Sequence, residues 1–176
     1  MVIGCGAASN RVQSWAQRHG GVCDFQQERV AVLAQRLVTH CGTGPHDIDV
    51  QVLNTDVVAA YSWREGRLFV TRGLVATADD HELAAALAHE LAHLLSDGHL
   101  KGQVAALTGS VSAESDAESR ADLVARELLE LSGYEPDAMQ RLLVKVAAAS
   151  SNDSGLSQQH LRRRIAKLAP ERRTGN

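Results

Sequence analysis

His89, Glu90 and His93 stand in the stretch LAAALAHELAHLL at positions 83–95 and form the pattern HExxH. The residues around them are Ala and Leu at helical spacing, so a buried helix is expected. Residues four apart on a helix lie one turn apart on one face, which brings both imidazoles to the same side. Two imidazole nitrogens so placed suit a single Zn²⁺, and the carboxylate beside the first histidine is then within reach of a zinc-bound water. The chemistry is metal-assisted hydrolysis, with His89 and His93 as metal ligands and Glu90 as the general base. The bland alternative is a chance match carrying two partly buried histidines. It is weakened by cost: imidazoles and a carboxylate inside an apolar helix need partners or a metal.

A catalytic zinc site takes three protein ligands and leaves a fourth position to water. Three residues are candidates for the third. His99 stands six after His93, where the pattern HExxHxxGxxH has its last ligand. That pattern needs glycine at the position of Ser96, to turn the backbone, and a methionine turn downstream; the only Met there, Met139, falls in a helical stretch. Glu118, in the segment ESRAD, is the second candidate, and it shares a helix face with Asp122 four residues on. Glu118 would complete a His-His-Glu set, and Asp122 would accept a hydrogen bond from the far nitrogen of one histidine, fixing its tautomer. A solvated acidic helix face is the plain reading of that pair. Glu114, one turn earlier, is a weaker third choice.

The elements that must position these residues follow from periodicity. Phe25 to His40 has Val30, Leu33, Ala34, Leu37 and Val38 at helical spacing. Strands are expected at Ile48 to Leu53, Val57 to Trp63 and Arg67 to Thr71, with a turn at Arg64 to Gly66. Gly73 to Ala78 reads as a short helix. Asp79 and Glu82 fit a capping box that opens the HExxH helix, and Asp97-Gly98 ends it. His81, in the first turn, reads as structural or exposed. Lys101 to Ser112 is a loop or short helix over the site. Helices follow at Glu114 to Leu131, stopped by Gly133, and at Pro136 to Ala149, with Met139, Leu142, Leu143 and Val146 as its core face. A flexible loop at Ser150 to Gly155 leads to a last helix marked by Leu161, Ile165 and Leu168. The fold class is α+β: mostly helical, with a small three-stranded, mainly antiparallel sheet packed on the HExxH helix. A free edge of such a sheet binds an extended peptide as a further strand.

The chain has 176 residues, 44% of them hydrophobic, which suits one globular domain. Its expected span is 22–170, after a mobile N-terminal segment 1–21 that carries a short helix at Arg11 to Arg18, and before a C-terminal tail 171–176. A net charge of −3 argues against general nucleic-acid binding. From His160 to Asn176 six Arg or Lys face one Glu. This suits the end of a solvated helix, and the alternative is a patch that associates with a membrane surface. No run of 18 apolar residues is present to span a membrane. Of the cysteines, Cys23 and Cys41 would lie at opposite ends of a helix about 24 Å long, too far apart to bridge; a bond from Cys5 to either stays open. Val2-Ile3-Gly4-Cys5 resembles the end of a bacterial lipoprotein signal but lacks the charged and apolar regions. Compartment therefore stays open between the bacterial cell envelope or periplasm and the cytoplasm.

HELAH at 89–93, ESRAD at 118–122 and then Gly133-Tyr134-Glu135-Pro136 with Ala138 resemble the zinc metallopeptidase family of HtpX and the CAAX prenyl protease. Upstream, two strands followed by Thr71-Arg72-Gly73-Leu74 and Glu82-Leu83-Ala84 add to the resemblance, which runs in order from about Ile48 to Leu168. It is to the soluble peptidase core of bacterial members. The resemblance implies a gluzincin (zincin) fold, one Zn²⁺ per chain and endopeptidase activity on protein substrates, in protein quality control. By matching motif, His89, His93 and Glu118 are the metal ligands, Glu90 the base and Asp122 the partner that orients a ligand. The chain departs from the family at the edge strand, where Ala59-Ala60-Tyr61 replaces Asn-Ala-Phe. It departs again near the C-terminus, where Gln158 and Gln159 replace a His-Pro pair ahead of Arg164-Ile165. The oxyanion donor is open among Arg164, Tyr134, His160 and His46. Two other readings stand beside this one: a single-target regulatory peptidase of the ImmA/IrrE kind, and a zinc-stabilised chaperone or adaptor that binds unfolded chains without cutting them.

Overall fold

The computed structural model describes residues 5–41, 48–96 and 117–149, with Arg162, Ile165, Ala166 and Leu168 beyond them. In chain order the elements are α1 (Cys5–Arg18), β1 (Val22–Cys23), α2 (Gln27–Val38), β2 (Asp49–Leu53), β3 (Ala60–Trp63), β4 (Arg67–Thr71), α3 (Arg72–Thr77), α4 (Asp80–Ser96), α5 (Ala117–Leu131) and α6 (Ala138–Ala149).

The HExxH helix α4 is the centre. Every residue from Leu83 to His89 is buried, so this helix has no solvent face over two turns. Its alanines let neighbours approach closely, and it packs against α2, α5, α6 and the sheet. The apolar stripe Val30, Leu33, Ala34, Leu37 and Val38 of α2 is buried as its spacing requires. α5 stops at Gly133, whose φ of 72° is the left-handed conformation a helix C-terminus favours, and the Tyr134 N–H returns to the Leu129 carbonyl at 2.8 Å.

The sheet corrects the expectation of three mainly antiparallel strands. It has four, in the order β1-β2-β4-β3, with β2 parallel to β4 and antiparallel pairing at both outer positions. β1 is two residues long and carries no alternation to read. The parallel central pair arises because the β3–β4 hairpin folds with β3 outward, leaving β4 to lie beside β2. β3 therefore forms one edge, and it is shorter than expected because the chain before it is drawn onto α3.

α1 covers the far face of the sheet, away from α4. Val12 and Ala16 pack with Leu53 and Phe69, and Trp15, Tyr61 and Trp63 close around them. The helix begins well before Arg11. Cys23 and Cys41 are free thiols. Burial pushes the Cys41 thiol up to about 12, and its Sγ donates to the Leu37 carbonyl, so it is an inert core residue.

Candidate functional site

The capping box expected at the start of α4 is present in both directions. The Asp79 N–H donates to Glu82 Oε2 at 2.9 Å and the Glu82 N–H donates to Asp79 Oδ1 at 2.9 Å. Glu82 is 1% exposed, and Lys145 of α6 donates to the same Oε2 at 2.6 Å. This end of α4 is thus tied to α6. His81 accepts the Glu135 N–H on Nδ1 at 3.0 Å and lies edge-on to Tyr134, a structural role.

Two turns on, His89 and His93 leave one face of α4 with their Nε2 atoms 3.2 Å apart. α5 lies across that face. Its first turn brings a Glu118 oxygen to 3.4 Å from His89 Nε2 and the other to 3.2 Å from His93 Nε2. One turn further, Asp122 Oδ1 meets His89 Nδ1 at 3.0 Å. A carboxylate there accepts a hydrogen bond from Nδ1–H, which in neutral His89 leaves the Nε2 lone pair directed at His93 and Glu118. His89 and Asp122 are buried, whereas the Glu118 side chain is half exposed. His89, His93 and Glu118 form a group whose ligand atoms lie within 4.8 Å of one another and could hold a metal ion. The structure brings these three side chains together, with Asp122 behind His89.

Glu90, next along α4, lines a cavity of about 460 Å³ with His89, His93 and Glu118. Residues 58–62, the start of β3 and the chain just before it, form one rim. Leu74, Met139, Leu142, Leu143 and Val146 add an apolar wall. Burial, and after it the negative charge of Glu90, push the Tyr61 phenol up, so it stays protonated at neutral pH.

Several expected residues fall elsewhere. His99, Glu114, His46, His160, Arg164, Gln158 and Gln159 lie outside the described residues, as do the loop at Lys101 to Ser112, the loop at Ser150 to Gly155 and most of the basic C-terminal run. Tyr134 does not line this cavity, and its ring is held under the Arg36 guanidinium, 4.9 Å from the centroid. The part of the site that sequence reading missed is the apolar wall. Met139, Leu142, Leu143 and Val146 were legible as a core face, and periodicity carries no signal that separates a core face from a cavity wall.

No curated protein matches the chain. The model of peptidase family M48 matches residues 24–114, just over half of the 176 residues. The match takes in the sheet from β2 onward and all of α4, and it ends four residues short of Glu118. Strands, HExxH helix and family match agree, and the chain belongs to peptidase family M48, the metallopeptidase family of HtpX and the CAAX prenyl protease.

Proposed function

We propose that the chain is a zinc-dependent metalloendopeptidase. It holds one Zn²⁺ on His89, His93 and Glu118 and hydrolyses peptide bonds in protein substrates that add to the sheet beside β3. The observation that carries this reading is the convergence of the two Nε2 atoms and the Glu118 carboxylate. Tetrahedral zinc with bonds of 2.0–2.2 Å sets its ligand atoms about 3.3 Å apart. Here the two Nε2 atoms lie 3.2 Å apart, and the Glu118 carboxylate spans them, one oxygen 3.4 Å from His89 Nε2 and the other 3.2 Å from His93 Nε2. A Zn²⁺ held by His89, His93 and Glu118 would supply Lewis acidity, to polarise a scissile carbonyl and lower the pKa of a water.

The chain's own residues do the rest. Asp122 holds His89 in the tautomer that binds metal. Glu90 takes the proton of the attacking water and passes it to the leaving amine. The rim at residues 58–62 supports the extended substrate, and the apolar wall keeps bulk water from the reacting bond. A role in protein quality control follows from the same reading, because an edge strand recognises backbone rather than one sequence. Family M48 membership favours this over the single-target regulatory reading.

The test is Glu90→Gln with casein as substrate. Zinc content near one per chain with loss of cleavage is expected, and full cleavage by this variant contradicts the assignment of the base. Chelation should stop the wild-type protein and zinc restore it. A zinc-loaded protein that protects unfolded clients and never cuts them would favour the chaperone reading.

A further inference from the structure

The approach to β3 is gripped by three consecutive residues where β4 passes into α3. Thr71 is fully buried, and it is the N-cap of α3. Its backbone N–H donates to the Ala59 carbonyl at 3.0 Å. Its hydroxyl donates to the same carbonyl at 3.0 Å, accepts the Ala59 N–H at 3.1 Å and accepts the Leu74 N–H at 3.2 Å. One donor and two acceptor sites are all a hydroxyl has, so its capacity is fully used. Beside it, the Arg72 guanidinium meets Asp56 at 2.7 Å, both exposed, and this pair adds little. The Gly73 N–H donates to the Thr55 carbonyl at 3.0 Å, and a Cβ on Gly73 would stand 2.2 Å from the Asp56 carbonyl oxygen.

The geometry has a consequence for the free edge. The register pairs Ala60 with Val70 and Tyr61 with Phe69, which sets Ala59 opposite Thr71. In an antiparallel pair, hydrogen-bonded couples alternate with non-bonded ones. With Ala59 bonded to Thr71, the backbone groups of Tyr61 and Trp63 also turn to β4. Those of Ala60 and Ser62 turn outward, along the cavity rim. The couple at Ala59 is unusual in one respect: its N–H is taken by the Thr71 hydroxyl, at the point where the main chain turns away into α3.

We infer that Thr71 is a positioning residue for the peptide substrate: its buried hydroxyl fixes Ala59, and through it aims the outward N–H and C=O groups of Ala60 and Ser62 at the substrate backbone. The inference rests on the strand-addition reading above. Thr71 lies behind the rim and touches no reacting atom, so its loss acts on substrate binding and leaves the chemical step intact.

The test uses full-length zinc-loaded protein and fluorescein-labelled β-casein, an unfolded chain. Thr71→Val keeps the shape and removes all three hydroxyl bonds. It should raise KM about tenfold while kcat stays within about twofold and zinc stays at one per chain. In the Glu90→Gln background, where β-casein is bound without turnover, its Kd should rise by about the same factor. Thr71→Ser, which keeps the hydroxyl, should restore both constants to within about threefold. Ala59→Pro removes the bond from the strand side and leaves the α3 cap in place, so a folding defect of Thr71→Val would not hide the effect; it too should weaken β-casein binding. Unchanged KM and Kd in Thr71→Val or Ala59→Pro, failure of serine to rescue, or no β-casein binding by Glu90→Gln would each overturn the inference. If the wild-type protein binds β-casein and never cuts it, the hydrolytic reading falls and the Kd comparison still decides the role of Thr71.

Discussion

At its first turn, α4 buries the carboxylate of Glu82 to 1% exposure; two turns on, the imidazole of His89, also buried, meets the buried carboxylate of Asp122. The two ends use buried polar groups for opposite purposes. Glu82 receives the Asp79 N–H and the Lys145 ammonium, so donors meet an acceptor and the local charge is answered. At the other end Asp122 meets the outer nitrogen of His89, and the inner nitrogens of His89 and His93 converge with the Glu118 carboxylate, so three groups able to ligate a metal face one another. Burial of acid is common to both ends and marks neither as a site. Convergence of three potential ligand side chains within reach of one metal ion is what separates the second from the first.

The sharpest way to break this comparison is to remove an inner nitrogen. His93→Ala should lower kcat/KM by about a thousandfold or more, because two ligands do not hold a catalytic metal. Its thermal unfolding without metal should match the metal-free wild type, as read by circular dichroism. A smaller loss is expected from Asp122→Asn, which keeps the shape and removes the charge that orients His89. Zinc affinity should fall by about 10–100-fold in a competition titration with a chromophoric chelator.

Removal of the structural acid should give the mirror result. Glu82→Ala is expected to cost about 1–3 kcal/mol in urea unfolding, from a lost cap bond and a small cavity. Its zinc affinity should stay at the wild-type value. The cost is not larger because Lys145 is about half exposed and returns to water when its partner goes. The smallest effect is expected at Asp79, where alanine should cost about 1 kcal/mol. Burial pushes the Asp79 carboxyl up, but the Glu82 N–H, the charges of Arg141 and Lys145 and the His81 N–H outweigh it and hold the group below the usual range. A carboxyl lowered on folding stabilises above its unfolded value of about 4. That stabilisation is lost as pH falls through the lowered folded value. The gap between wild type and Asp79→Ala in urea midpoint should therefore be full at neutral pH and close under acid conditions below about pH 4.

Much of this contrast was legible in the residues. HExxH spacing places His89 and His93 on one face, and a four-residue step does the same for Glu118 and Asp122, since both depend only on helical geometry. The Asp79–Glu82 box is a local signature and came through whole. What was not legible depends on contacts between distant segments. Nothing local to Glu82 tells that Lys145, 63 residues on, will meet it. β1 is too short to show alternation, and strand direction is not encoded in alternation at all, so the parallel pairing of β2 with β4 could not be read. Among the described side chains of α1, Val12 and Ala16 reach the sheet core, too few to show as a stripe. The double use of the α6 face, as core and as cavity wall, is a property of what lies opposite it.

The central claim is that one metal ion is gripped by His89, His93 and Glu118, and zinc titration of the metal-free protein by calorimetry tests it most directly. The wild-type protein should bind one Zn²⁺ per chain, and Glu118→Ala should weaken that binding by about a hundredfold or more, with His81→Ala as an unaffected control on the same helix. Equal zinc affinity in Glu118→Ala and wild type, or no stoichiometric binding by the wild type, would contradict the account.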